Sequence, residues 1–147
     1  MHEIQIRTIA HQLGFDAVRI TTANSPDHEA YQAAWLAAGM QGQMGYLQNR
    51  AQLRSGPLSS PNLLENTQSV IVVALSYAEK TGEKVPTSAQ GVVARYARGE
   101  DYHTVMWEKL RQLGVWVEQT FPGTRTRGFC DSGPIREREL AARAGLG

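Results

Sequence analysis

The sequence predicts an α/β (α+β) fold in which a mixed sheet of about three to four short strands is flanked by helices. Stretches with helical periodicity alternate with short β-branched runs, and clusters of Gly, Pro, Ser and Asn separate them. The most apolar run, SVIVVAL at 69–75, is short and β-branched, which favours a strand buried on both faces over a helix.

Taken in order, Ile6, Ile9, Ala10 and Leu13 share one face of a helix over 2–13, and Gly14 stands where a left-handed residue ends it. Residues 15–20 alternate as a strand. Ser25 and Pro26 fit the N-cap and first position of a second helix running through Tyr31, Ala34, Trp35 and Ala38 to Gly39, with Asp27 and Glu29 at the positive end of its dipole. QGQMGYLQNR (41–50) suits a short helical turn, and SGPLSSPN (55–62) a loop. After the strand at 69–75, the polar segment 79–91 predicts a mobile loop, and VVARYA (92–97) another strand. Val105, Met106, Leu110, Leu113 and Val117 carry the apolar face of a helix over 101–121, capped by Asp101. The alternation at 124–130 predicts a strand leading into Asp131. Pro134 opens a last helix, 134–144, stopped by Gly145.

Composition narrows the function classes. Fifteen basic and fourteen acidic side chains leave a formal charge of +1, so contact with nucleic acid or an anionic membrane must come from a local patch. A single cysteine, Cys130, allows no intrachain disulfide and cannot supply the four thiolates of an iron–sulfur cluster. The histidines at 2, 11, 28 and 103 are scattered, so no metal site is expected. No apolar run has the length of a membrane span and the first residues lack a signal-peptide core, which places the chain in the cytoplasm with no membrane contact.

Two segments carry candidate chemistry. FCDSGPIRERE (129–139) is a junction entering a helix, where Asp131 or Ser132 either caps that helix or, in the functional reading, Asp131 moves a proton in a cleft. ARYARGEDYH (94–103) offers arginines able to hold phosphate or amide oxygens and tyrosines able to stack on a flat ring. The CDSGP string has the look of a serine-protease nucleophile with His103 and Asp101 as partners, but that serine belongs to an all-β setting and a Gly-Gly-Pro continuation missing here. Cys130 reads as a small core residue, and GMQGQMG (39–45) as helix stops rather than a dinucleotide fingerprint.

Together, ARYARGEDYHTVMWEKLRQLG, the segment ending in Asp131, and DSGPIRERELAARAGLG resemble epoxyqueuosine reductases in order and spacing. GMQGQMGYL (39–47) and SVIVVALSY (69–77) extend the resemblance over essentially the whole chain. It implies a nitroreductase-like, cobalamin-processing-like layer architecture. It also implies a cytoplasmic oxidoreductase that converts epoxyqueuosine to queuosine in the anticodon of tRNA, using cobalamin and iron–sulfur clusters. By this resemblance Asp131 is the proton donor; Arg54, Ala94, Arg95, Tyr96, Asp131 and Glu137 line the cobalamin pocket; Tyr102 and His103 border the substrate. Residues 1–147 are then expected to form the amino-terminal cobalamin-binding domain of such an enzyme, inactive alone. The iron–sulfur domain would be missing, or its clusters carried by a partner chain. The competing readings are a stand-alone cobalamin-binding or trafficking module and a flavin-binding nitroreductase-like protein.

Overall fold

The computed structural model describes residues 2–77 and 91–147. Helix α1 (His2–Gln12) leads into strand β1 (Ala17–Thr22), followed by α2 (Glu29–Ala37), α3 (Gly45–Asn49) and α4 (Ala51–Ser55). Strand β2 (Ser69–Ala74), a 3-10 turn (Arg95–Ala97), the long α5 (Tyr102–Thr120) and α6 (Glu137–Arg143) complete the order.

The mixed α/β class is as expected, with a smaller sheet. Among the described residues β1 and β2 form one antiparallel pair, with Val18 opposite Val73 and Ile20 opposite Ile71. Directly opposed residues share a face, so Val18, Ile20, Ile71 and Val73 present one apolar surface. Ala10 of α1 and Leu113 and Val117 of α5 join Phe15 and Val18 in the buried core, with Ile71, Val73, Met106 and Leu110 packed around them. The periodicities of α1 and α5 therefore point where the sequence indicates. Residues 70–74 are only half-buried, because one antiparallel partner and a few helices do not seal both faces.

The other two expected strands are absent. Residues 91–94 are irregular and run into the 3-10 turn, and 124–130 form no ladder. The second segment finds side-chain partners instead. Thr126 donates from its backbone N–H and its hydroxyl to Glu118 of α5, at 2.6 and 2.8 Å. The Arg127 guanidinium donates to the carbonyls of Asn62, at 3.0 Å, and Leu63. Alternating polarity there marks a segment lying on a helix. The loop expected over 79–91 falls, apart from Gly91, outside the described residues.

Two helix ends follow local chemistry directly. Gly14 has φ +86°, and a Cβ there would lie 2.8 Å from Lys109 Nζ, the group that closes the end of α1 by donating to the Leu13 carbonyl. Asp101 caps α5 by accepting from the His103 N–H at 2.9 Å. The second helix starts later than expected, at Glu29, with His28 before it and no side-chain cap. Ser25 and Asp27 are engaged elsewhere. Arg143 of α6 donates to the carbonyls of Asn24 and Ser25 at 3.2 and 3.0 Å and pairs with Asp27 at 3.0 Å. Glu139 accepts from the Asp27 N–H and pairs with Arg136 at 3.2 Å. These contacts clasp the segment after β1 to α6, which also packs on both strands.

Candidate functional site

The site grows from the turn before α6. Gly133 is buried beneath Phe129, whose ring atom Cδ1 would stand 2.3 Å from any Cβ placed there. Arg127 covers the same ring, its Cζ 5.1 Å from the centroid. Within this tight packing the Ser132 N–H donates to the Cys130 carbonyl at 2.5 Å, and Asp131 at the apex takes a left-handed φ of +53°. Left-handed backbone is uncommon for residues other than glycine, though aspartate tolerates it better than most. The helix itself begins at Glu137, with Arg136 in the cap position and no side-chain cap. Asp131 and Ser132 are therefore not capping residues, and the helix is shorter than the 134–144 expected.

Two side chains hold Asp131. Glu137 Oε1 accepts from its backbone N–H at 2.8 Å, and the Tyr102 hydroxyl donates to Oδ2 of its carboxylate. Tyr102 stands in the first turn of α5 as a direct consequence of the Asp101 cap. It stacks on His103 with centroids 4.1 Å apart, and Tyr96 meets it edge-on at 5.9 Å. Tyr77, just past β2, meets Tyr96 at 6.3 Å. The Ser76 N–H, bonded to Asp16 Oδ2 at 2.6 Å, ties down the chain immediately before it. His103 Nδ1 lies 2.9 Å from Asp101 Oδ1, which orients its ring.

Electrostatics follow from this crowding. Burial, then the neighbouring Asp131 charge, raises the Glu137 carboxyl above its ordinary value, while the Arg54 charge pulls the other way. The bond to Asp131 pushes the Tyr102 phenol up to about 12, so it remains a donor through the neutral range. Burial pushes the Cys130 thiol up to about 11, with the Asp131, Glu137 and Asp101 charges adding to it. A thiol so placed is a core residue rather than a nucleophile.

The structure thus gathers Asp131, Tyr102, Tyr96, His103 and Glu137 around one turn. Arg54, at the end of α4, reaches the same region: Nη1 donates to the Ile135 carbonyl at 3.4 Å, and Nε is buried without a hydrogen-bond partner among the described residues. Ala94 precedes the 3-10 turn and Arg95 starts it, so both belong to the element that presents Tyr96. Tyr77 is not among the residues the sequence singles out; its place directly after the most apolar run is the one signal there, and its exposure emerges only in the fold. Among the described residues no group of three or more His, Cys, Asp or Glu is placed to hold a metal ion, and no helix is long and apolar enough to cross a membrane.

A family model described as "Epoxyqueuosine reductase QueG, DUF1730" matches residues 58–132, half of the chain, from the loop before β2 to the Asp131 turn. The chain belongs to the epoxyqueuosine reductase family. It is 39% identical over 145 residues to the epoxyqueuosine reductase of Gloeobacter violaceus, covering 97% of this chain and 43% of that protein. With the epoxyqueuosine reductase of Vibrio cholerae it shares 36% identity over 146 residues, covering 97% and 39%. A crystal structure of epoxyqueuosine reductase with an epoxyqueuosine-modified tRNA-Tyr stem loop matches with a TM-score of 0.71 at 27% identity, covering 99% of this chain and 38% of that one. The chain therefore spans about 40% of the length of these epoxyqueuosine reductases.

Proposed function

We propose that this chain forms the cobalamin-binding part of a cytoplasmic enzyme that reduces epoxyqueuosine to queuosine in tRNA, with Asp131 as the proton donor. The observation that carries the reading is the Asp131 turn, where an exposed aspartate is held by its backbone N–H to Glu137 and by its carboxylate to Tyr102, beside a run of aromatic rings. Strained backbone at a polar residue is typical of functional turns, where the surrounding structure over-determines the conformation.

The residues present suit a corrinoid. Its rim carries amide groups, which the Nε of Arg54, buried and without a hydrogen-bond partner among the described residues, is able to bind, and its flat face suits the rings of Tyr96 and Tyr102. When bound, that cofactor supplies the electrons for removing the epoxide oxygen. This chain's contribution is one proton: Asp131 protonates the epoxide oxygen as its C–O bond breaks and is left as a carboxylate, and the second proton that completes the departing water comes from solvent. Arg54 and Tyr96 hold and orient, and Tyr102 and His103 form the wall nearest the donor. With one cysteine in its sequence, the chain leaves the iron–sulfur clusters to another part of the enzyme or to a partner.

Titration of the purified chain with hydroxocobalamin tests the cofactor reading. A saturable change in corrinoid absorption is expected, weakened about tenfold by Arg54→Met, which keeps the apolar stem but removes the guanidinium. No spectral change with the unaltered chain, together with uptake of flavin mononucleotide, would overturn it.

A further inference from the structure

The family resemblance implies that Tyr102 borders the substrate, yet its hydroxyl is committed to the candidate acid itself. We propose that Tyr102 is a positioning residue for Asp131, occupying Oδ2 so that the proton Asp131 transfers is carried on Oδ1. This deepens the proposed function and rests on Asp131 being the donor.

Three observations converge on it. The Asp131 backbone is fixed by the left-handed turn and by Glu137 Oε1, so the remaining freedom of the residue is rotation of its carboxyl group. Tyr102 stops that rotation by donating to one oxygen. Tyr102 is itself fixed, stacked on His103, abutted by Tyr96, and set by the Asp101 cap at the start of a nineteen-residue helix. A phenol whose pKa is about 12 neither gives up its proton nor competes with Asp131 as the acid.

The two oxygens of Asp131 thereby become inequivalent. In its acid form the carboxyl group would carry the proton on Oδ1 while Oδ2 accepts from Tyr102. After transfer the substrate oxygen holds the proton, Oδ1 is left as an acceptor, and Oδ2 keeps the bond from Tyr102. Among the described residues Glu137 and Cys130 also feel the Asp131 charge; Glu137 reaches it through the backbone N–H and the neighbouring carboxyl group, and burial keeps the Cys130 thiol neutral.

The test begins with the isolated 147-residue chain, which needs neither cofactor nor turnover. The ring carbon resonance of Tyr102, assigned through Tyr102→Phe, should titrate at about 12 and fall toward the ordinary phenol range in Asp131→Asn, burial keeping part of the rise. A Tyr102 resonance indifferent to Asp131→Asn would overturn the proposal. In a complete enzyme carrying these residues, Tyr102→Phe should lower kcat about tenfold with KM unchanged and displace the acid-dependent limb of the pH–rate profile. A raised KM with intact kcat would instead make Tyr102 a substrate contact and refute the positioning role. Failure of hydroxocobalamin to bind would bear on the proposed function and leave the phenol titration untouched.

Discussion

Replacing Asp131 separates what its backbone does from what its carboxyl group does. At φ +53° a residue with an ordinary Cβ costs about 1–2 kcal/mol, which glycine escapes at an entropic cost of about 0.5–1 kcal/mol. Asp131→Gly and Asp131→Ala lose the same bond from Tyr102, and Asp131 is exposed, so water takes over that bond in both. Their difference isolates the turn. The glycine variant should be the more stable by about 1 kcal/mol, which for a chain of 147 residues is about 3 °C in melting temperature. Asparagine keeps the tolerance for left-handed backbone and should lie within about 0.5 kcal/mol of the original chain. Urea unfolding of the three variants, followed by circular dichroism, measures this order. In a complete enzyme all three should lose turnover alike, by about 10²-fold or more. An alanine variant as stable as the glycine variant would refute the left-handed turn, and an asparagine variant with full turnover would refute the donor.

Two further predictions concern the same turn. Gly133→Ala must push Phe129 aside, since its Cβ would also lie 2.9 Å from Cγ of that ring; it should destabilise the chain by about 1–3 kcal/mol and abolish cobalamin binding, as unfolding curves and absorption titration would show. For Glu137 the raised carboxyl pKa means the folded chain binds the proton more tightly than the unfolded one. The stabilisation from that proton is complete below about 4.5 and is lost as pH rises through the raised folded value. Glu137→Gln should flatten this dependence; parallel pH–stability curves for the two chains would contradict it.

What the sequence reveals depends on how local each signal is. The faces of α1 and α5, the Asp101 cap, and the stops at Gly14 and Gly145 are written within one or two helical turns, and the structure reproduces them. The strands expected at 92–97 and 124–130 show that alternation alone does not make a sheet. A ladder needs a partner, and Thr126 meets Glu118 of α5 instead. Ser25 fails as a cap for a similar reason, its carbonyl being taken by an arginine 118 residues further on. At the site, Asp131 stood out because it lies just before a helix, whereas its bond to Tyr102, 29 residues earlier, is a matter of tertiary packing. The unpartnered Nε of Arg54 is equally invisible before the chain folds.

The clasp between Arg143, Glu139 and the segment at 24–27 has a kinetic consequence. Its bonds join residues 112 to 119 positions apart, and closing a loop of that size costs about 4 kcal/mol in chain entropy before any contact repays it. The α1–β1 contacts are local by comparison. Helix α6 has only seven residues, too few to persist alone, so it becomes ordered when the two distant ends of the chain meet. The Asp131 turn leans on Glu137 in that helix, so Asp131 is expected to be one of the last parts of the chain to order during folding and one of the first to open when folding reverses.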